Sequence, residues 1–262
     1  MDISLARVLN FITRKLTNQH SNILDDTICC NNCEKIKNFY EDILYDQTKI
    51  WLYQNREERM DASLGIFNES RRQFHLSRYD FACKISQNKV VADIACGTGY
   101  GTELLIKTGN AIKVYGVDIS SDAINYARTH HSSQETEYIC SSGENTGLGD
   151  ETIDMVVSFE TIEHVPNYHD LLKEFSRILK PGGILVCSTP NEWPIEIATH
   201  HVREYNRSTF IALLSNWFEI DKLYNQNSGG TSPFNHAQEM GIIETTDNNF
   251  SLAECFIAVC KK

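Results

Sequence analysis

The chain has 262 residues, of which 41% are hydrophobic and 23% charged, an ordinary composition for a globular protein with one substantial core and a smaller extra unit. Its formal net charge of −11 argues against a protein that binds nucleic acid through the phosphates. No apolar run approaches the roughly 18 residues of a membrane span. The amino terminus lacks a secretory pattern, so we expect a cytoplasmic protein.

Residues 1–86 carry apolar side chains at helical spacing, which predicts a helical extension that acts as a lid or as a surface for homodimerisation. One of its helices is expected over residues 71–84. Cys30 and Cys33, with Cys29 adjacent, look like half of a zinc site, but no second pair of ligands follows at the usual spacing. We therefore predict an incidental cysteine cluster there and no bound metal.

From residue 87 to residue 262, short apolar runs alternate with helical segments, which is typical of a doubly wound, mainly parallel α/β sheet with helices on both faces. We predict seven strands, and a long connection without a helix makes the last two an antiparallel edge. The strands are predicted near residues 90–95, 113–117, 136–140, 153–159, 183–188, 218–224 and 254–260. The helices of this domain are predicted near residues 100–108, 121–131, 168–179 and 208–215.

The segment VVADIACGTGYGT, which begins at residue 90, is the most informative part of the chain. Gly97, Gly99 and Gly101 alternate in the turn after the first strand, where residues without Cβ let a ligand approach the backbone closely. The following helix would direct its first amides at that ligand. Asp118 ends the next apolar run, about 20 residues after the glycines, where a carboxylate commonly binds the ribose hydroxyls. The pattern predicts an adenosine-containing cofactor.

The spacing of the glycines is G-x-G-x-G and differs from the G-x-G-x-x-G of dinucleotide sites. Asp93 would repel a pyrophosphate but suits a cofactor that carries an ammonium group. With Asp93 four residues before Gly97, the segment resembles the first motif of S-adenosylmethionine-dependent methyltransferases of the Rossmann-like class. The resemblance implies S-adenosylmethionine as the cofactor, and the alternative is a strand-to-helix turn without a ligand. The residues expected at the cofactor are Asp93, Ala95, Gly97, Gly99, Asp118, Ile119, Ser142, Gly143, Glu144, Phe159, Arg78 and Tyr79.

Two further segments are expected to border the cofactor. The Ser142 loop follows the third strand, where similar methyltransferases contact the adenine, although a plain turn is the alternative. Upstream, the strings E-R-M at residues 58–60 and H-x-x-R-Y at residues 75–79 resemble segments of glycan methyltransferases. This resemblance places a helix over the cofactor pocket, with Arg78 near the methionine carboxylate.

The exit of the fourth strand, FETIEHV from residue 159, with its continuation LLKEFSRILKPGGILVCSTPN from residue 171, resembles the methyltransferases that modify small molecules, quinones and sugars. Phe159 and Glu160 are expected beside the sulfonium, with Glu160 toward the substrate. His164 is a candidate general base because the unperturbed pKa of histidine is close to neutrality. Alternatively, Glu163 and His164 brace the loop or cap the next helix. Nothing in the sequence requires a metal, although Glu160, Glu163 and His164 would form a plausible ligand set.

The string HHVREY at residues 200–205 lies after the fifth strand, where many proteins of this fold bind the acceptor. His201 is the second candidate base, and Arg203 could bind a phosphate with two hydrogen bonds. Glu204 and Tyr205 are expected to contact the substrate. The string resembles members associated with surface-polysaccharide and nucleotide-sugar methylation, and a solvated loop without a role is the alternative.

The sequence therefore predicts a methyltransferase that transfers a methyl group from S-adenosylmethionine to a hydroxyl of a sugar, in a glycan or attached to a nucleotide. A quinone, a phenol or another small metabolite is the alternative acceptor. A non-catalytic cofactor-binding module is the alternative from a different class of protein. Neither nucleic acid nor a membrane is expected as a partner.

Overall fold

The computed structural model describes residues 46–56, 59–192, 200–228 and 240–262. The predictions for residues 1–45, which include the cysteine cluster and the first helical stripes, lie outside the described residues. Within the described ranges, no helix combines the length and the apolar composition that crossing a bilayer requires.

The described helices and strands alternate along most of the chain. The helices are α1 (Gln47–Gln54), α2 (Glu69–Cys83), α3 (Tyr100–Lys107), α4 (Ser121–His130), α5 (Tyr168–Ile178) and α6 (Arg207–Leu214), with a 3-10 turn at Phe250–Leu252. The strands are β1 (Val90–Ile94), β2 (Lys113–Asp118), β3 (Thr136–Cys140), β4 (Ile153–Ser158), β5 (Leu179–Pro190), β6 (Glu219–Ser228), β7 (Met240–Glu244) and β8 (Cys255–Lys261). Each predicted helix of residues 87–262 is present within one or two residues of its expected bounds.

The strands form one sheet in the order β3-β2-β1-β4-β5-β8-β6-β7. The first five are mutually parallel, and β8, β6 and β7 are antiparallel to their neighbours. The predicted class, a doubly wound and mainly parallel sheet with an antiparallel carboxyl-terminal edge, is confirmed. The described part of the chain adds an eighth strand, β7, which pairs with β6 at the edge.

The strand order places the ends of β1 and β4 side by side, and this is where the chain changes direction across the sheet. In the pairing register Asp93 of β1 lies opposite Gly116 of β2 and Val157 of β4. Ligands of doubly wound sheets bind at the carboxyl ends of the strands near such a switch point. The loops after β1, β2 and β4 therefore meet at one site.

Each face of the sheet is covered by its own apolar layer. On one face, α5 contributes Leu171 and Phe175 to a core that continues to Phe256 of β8. On the other face, α2 and α3 pack Tyr79 and Leu105 against the sheet. Helix α2 thus shares a core with β1 and α3, although the predicted domain boundary at residue 86 stays a prediction. Truncating a fully buried ring such as Phe175 to alanine would cost roughly 3–5 kcal/mol.

Candidate active site

The turn after β1 needs glycine for two physical reasons. Gly97 has φ of 56° and Gly99 has φ of 86°, a region that side chains with a Cβ rarely adopt. A Cβ on Gly99 would also lie 2.7 Å from the Cβ of Ala127 and 2.8 Å from the Tyr138 hydroxyl. Ala95 shares the left-handed conformation, with φ of 63°. The turn is therefore tightly folded between β1 and the start of α3.

Asp118 ends β2 directly beside this turn, as the sequence predicts. Its carboxylate accepts a hydrogen bond from the Gly97 amide at 2.9 Å and another from the Ser120 amide at 2.9 Å. The guanidinium of Arg59, 3.4 Å from the same carboxylate, lies over the turn. Each carboxylate oxygen has two lone pairs, so these three contacts leave capacity on Oδ1 for one ribose hydroxyl without displacement of Arg59.

Asp93 is almost completely buried, with 1% of its surface exposed. Its carboxylate accepts hydrogen bonds from the hydroxyls of Thr102, at 2.7 Å, and Tyr79, at 3.2 Å. Burial raises the pKa of Asp93 to about 7 in spite of these two hydrogen bonds, and the charge of Asp118 raises it further. A positive charge bound nearby would favour the ionised form of this carboxyl group.

The ring of Tyr79 connects the glycine turn to the exit of β4. It packs edge to face against Tyr100 and Phe159, with ring centroids 5.4 and 5.2 Å apart. Gly101 leaves the space for this ring, because a Cβ there would lie 1.9 Å from the Tyr79 Cζ atom. Asp93, Tyr79 and Phe159 are therefore linked by direct contacts.

Arg78 points away from the turn and into the packing between α2, β6 and β8. It is 3% exposed, and its Nε donates a hydrogen bond to Gln226 at 2.6 Å. Its Nη2 lies 3.6 Å from a carboxylate oxygen of Glu160, and its guanidinium stacks over Phe74. The sequence predicts that Arg78 contacts the methionine carboxylate of the cofactor, but its guanidinium is already engaged by these three residues.

The remaining residues predicted for the adenine end lie at the outer rim of the turn. Ile119, directly after Asp118, is 73% exposed. The Ser142 hydroxyl donates a hydrogen bond to Glu144 at 2.8 Å, so both side chains are engaged with each other. Gly143 approaches α5 so closely that a Cβ would lie 2.8 Å from the Leu171 side chain. An exposed apolar side chain beside a tight loop suits a flat adenine ring.

Glu160 leaves β4 in a strained backbone conformation, with φ of 50°. Non-glycine residues in this region cost about 1–2 kcal/mol and cluster at functional sites. The carboxylate is held by the Ser188 hydroxyl at 2.7 Å and by the pairing with Arg78. Glu160 is thus fixed at the carboxyl edge of the sheet, close to Phe159.

A cluster of Glu163, His164 and His201, which we call the Glu-His-His cluster, lies beyond this exit. One ligand atom from each side chain falls within 4.8 Å of the others. The rings of His164 and His201 meet edge to face at 4.8 Å, and the His164 Nε2 atom lies 3.8 Å from Glu163 Oε1. The Val202 amide donates to the Glu163 carbonyl at 2.8 Å, which ties the two segments together.

Two members of this cluster, Glu163 and His201, have shifted pKa values. Glu163 is 1% exposed, and its Oε1 atom has no hydrogen-bond partner among the described residues. Burial raises the pKa of Glu163 well above its usual range, and the neighbouring Glu160 raises it further. Burial lowers the pKa of His201, and the adjacent His164 lowers it further. The two predicted bases are therefore side by side and next to a buried carboxyl group.

The rest of the HHVREY string has other contacts. Arg203 donates hydrogen bonds to the carbonyls of Val165, at 2.9 Å, and Pro166, at 2.6 Å, and stacks over the ring of Tyr168. Tyr205 is buried in the core, whereas Glu204 is exposed. Arg203 therefore stabilises the loop before α5. Within the HHVREY string, His201 is the residue that belongs to the Glu-His-His cluster.

Sequence reasoning missed a buried polar network that fastens residues 59–64 over the glycine turn. Asp61 accepts hydrogen bonds from the Tyr126 hydroxyl at 2.9 Å and from His131 Nε2 at 2.8 Å. The other ring nitrogen of His131 lies 3.0 Å from Glu103. The four groups come from three distant parts of the chain, since only Tyr126 and His131 are close in sequence, so no local pattern could have revealed the network.

The sheet order is that of the Rossmann-like fold of methyltransferases, and the glycine turn and the two acids lie at its switch point. Residues 92–187 match the model of the family described as a methyltransferase domain. A solved structure from Thermotoga maritima, described as a possible histamine N-methyltransferase, is 23% identical with a TM-score of 0.57, over 74% of this chain and 95% of that one. S-adenosylmethionine is accordingly the cofactor of this domain.

The curated relatives that match parts of the chain include two O-methyltransferases. A ubiquinone biosynthesis O-methyltransferase from Hydrogenovibrio crunogenus is 32% identical over 40% of this chain and 44% of its own length. A fatty-acid O-methyltransferase from Mycolicibacterium smegmatis is 30% identical over 53% of this chain and 52% of its own length. The chain spans about half the length of these relatives.

Proposed function

We propose that the protein transfers a methyl group from S-adenosylmethionine to an oxygen atom of a small hydroxylated acceptor. The observation that carries this proposal is the Glu-His-His cluster, which lies beyond Phe159 on the carboxyl edge of the sheet. An oxygen nucleophile must lose its proton at or near the transition state, and this cluster provides basic groups for that step. His164 and His201 are the predicted bases.

The geometry of His164 supports its assignment. Its Nδ1 atom lies 2.9 Å from the His200 carbonyl, which can only accept a hydrogen bond. The neutral ring therefore carries its proton on Nδ1, and the lone pair on Nε2 faces the cluster. A pre-set tautomer of this kind leaves Nε2 ready to accept a proton from a bound hydroxyl.

For the cofactor end, we propose that Asp118 binds the ribose, that Ile119 packs against the adenine and that Asp93 provides negative charge for the ammonium group. The methyl group is then transferred in line, and the protein contributes mainly orientation and exclusion of water. Residues 1–86 are proposed to cover the site as a lid and to support a homodimer, which light scattering of the full chain would test.

Two acceptor classes are proposed. The motif strings at residues 58–60, 75–79 and 200–205 favour a sugar hydroxyl, with a role in polysaccharide biosynthesis. The name of the Hydrogenovibrio relative favours a phenol or a quinol instead. Both carry a hydroxyl that the cluster can deprotonate. A weaker base suffices for a phenol than for a sugar hydroxyl, because the pKa of a phenol is lower.

The test is a screen that measures release of S-adenosylhomocysteine with sugar nucleotides, quinols and phenols, using the full chain. We expect turnover with one of these classes and at least a tenfold loss in His164→Ala. His169→Ala, an exposed histidine five residues away, serves as the matched control and keeps its rate. Tight binding of S-adenosylhomocysteine without turnover of any acceptor would favour the non-catalytic cofactor-binding module.

A further inference from the structure

The Glu-His-His cluster has a feature that proton transfer alone leaves unexplained. Glu163 Oε1 is buried without a hydrogen-bond partner among the described residues, while the other oxygen accepts one long hydrogen bond, 3.4 Å from Thr189 Oγ1. A buried polar atom without a partner is unfavourable, because it gives up its hydrogen bonds to water without a replacement. A bound cation would give this atom an electropositive partner that the side chains of the described residues do not supply.

The side chains around that oxygen are those of a metal site. Two imidazoles and one carboxylate are the protein ligands of catalytic zinc sites that keep one position open for water or substrate. Imidazole ligands also favour zinc and the other late first-row metals over magnesium. The three ligand atoms already lie within 4.8 Å of one another.

The surroundings of His164 match those of a metal-binding histidine. Such a ligand commonly donates its other ring N–H to a carbonyl or carboxylate, which fixes the tautomer and the ring orientation. Here the His200 carbonyl accepts from Nδ1 at 2.9 Å, so Nε2 is the free ligand atom. That Nε2 atom lies 3.8 Å from the unpartnered Oε1 of Glu163.

The distances require only side-chain adjustment. Ligands about 2.0–2.1 Å from a tetrahedral zinc ion lie about 3.3 Å apart. The spacing between Glu163 Oε1 and His164 Nε2 exceeds this by about 0.5 Å, a shift that ring rotation provides because His164 is partly exposed. The His201 ligand atom lies within 4.8 Å of the other two, so it would move by up to about 1.5 Å, and its side chain is only partly buried.

We propose that Glu163, His164 and His201 bind a divalent late first-row metal ion, with Zn²⁺ as the best fit, at the acceptor side of the site. The site deepens the proposed function and rests on it, because the ion's open position would bind the acceptor hydroxyl. A metal ion lowers the pKa of a bound hydroxyl, so its proton leaves to solvent before transfer. The bound oxygen then forms the O–C bond while the C–S bond breaks and its electron pair stays on sulfur, which yields neutral S-adenosylhomocysteine.

In this proposal the two imidazoles are metal ligands, and the metal ion activates the acceptor hydroxyl instead of an imidazole.

The first test is calorimetric titration of the chelator-treated full chain with Zn²⁺, without cofactor or acceptor. Cys29, Cys30 and Cys33 are replaced by serine beforehand, since thiolates would bind zinc independently. We expect one Zn²⁺ per chain, and visible absorption typical of four-coordinate Co²⁺ when cobalt is used.

Ligand variants separate the proposed site from incidental binding. His201→Ala is expected to weaken Zn²⁺ binding at least 100-fold and to abolish the cobalt spectrum, and Glu163→Gln is expected to weaken it at least tenfold. The exposed His169→Ala is the matched control and should bind as the parent does. Failure of the parent to bind one Zn²⁺, or equal binding by the parent and His201→Ala, would overturn the proposal.

The metal site and the proposed function fail in different ways. Methyl transfer that continues at the full rate in excess chelator would remove the ion from the mechanism and leave the methyltransferase intact. One Zn²⁺ bound at the cluster, without turnover of any acceptor, would establish the site and refute the proposed activity. S-adenosylhomocysteine affinity should be unchanged by Zn²⁺, because Asp118 and the glycine turn hold the nucleoside.

Discussion

The contact between Gly101 and Tyr79 offers a sharp test of how α2 covers the cofactor turn. A Cβ at position 101 would lie 1.9 Å from the Tyr79 ring. The ring cannot move aside easily, since it packs against Tyr100 and Phe159 and its hydroxyl is bonded to Asp93. Overpacking costs about 1–3 kcal/mol, and we expect the upper end for Gly101→Ala. At about 2–4 °C per kcal/mol, Tm should fall by roughly 6–12 °C.

The decisive measurement is a double-mutant cycle with Tyr79→Ala, read from urea unfolding. Once the ring is removed, the new methyl group has space, and Gly101→Ala should raise the free energy of unfolding by about 0.5–1 kcal/mol because alanine is the better helix former. The change in the free energy of unfolding caused by Gly101→Ala should therefore have opposite signs with and without the Tyr79 ring. Gly147→Ala is the control: Gly147 has φ of 78° with open space around it, so strain alone should cost about 1–2 kcal/mol in both backgrounds. An equal cost of Gly101→Ala with and without the Tyr79 ring would refute the packing described here.

Three further predictions concern charge and cofactor affinity. Burial alone would raise the pKa of Asp61 and lower that of His131, but their mutual hydrogen bond and charges shift both pKa values the other way. The stability from His131 is therefore complete below about pH 6.5 and is lost as the pH rises through its folded pKa, while the stability from Asp61 is lost as the pH falls. The urea midpoint should therefore depend less on pH in Asp61→Asn than in the parent. Since the pKa of Asp93 is about 7 and the bound ammonium favours the ionised form, S-adenosylhomocysteine should bind about fivefold more tightly at pH 7 than at pH 6, whereas calorimetry on Asp93→Asn should show no such change. Ile119→Ser should weaken cofactor binding about fivefold, or about 1 kcal/mol, without loss of stability, and equal weakening by Ile112→Ser, 59% exposed and outside the site, would contradict the adenine contact.

The parts of the fold that local patterns encode were predictable from the sequence. Glycine spacing and the two acids indicated the turn because a steric requirement and a charge requirement coincide within a few residues. The alternation of apolar runs with helical segments gave the sheet class. Strand β7 was missed because its five residues, MGIIE, are too short and too mixed in polarity to show a strand period.

Contacts between distant segments were not predictable in the same way. The direction of Arg78 depends on Gln226 and Glu160, which only the tertiary fold brings to it. The Asp61–His131 pair joins residues 70 positions apart along the chain. The sequence suggested His164 and His201 separately, and their meeting with Glu163 follows from the hydrogen bonds between the two loops.

The most direct measurement is a crystal structure of the full chain with S-adenosylhomocysteine. We expect the ribose hydroxyls within about 2.5–3.0 Å of the Asp118 carboxylate and the amino group on the Asp93 side. The sulfur should lie near Phe159 and face the Glu-His-His cluster. A nucleoside bound away from Asp118, or a sulfur that faces away from the cluster, would contradict the proposed site.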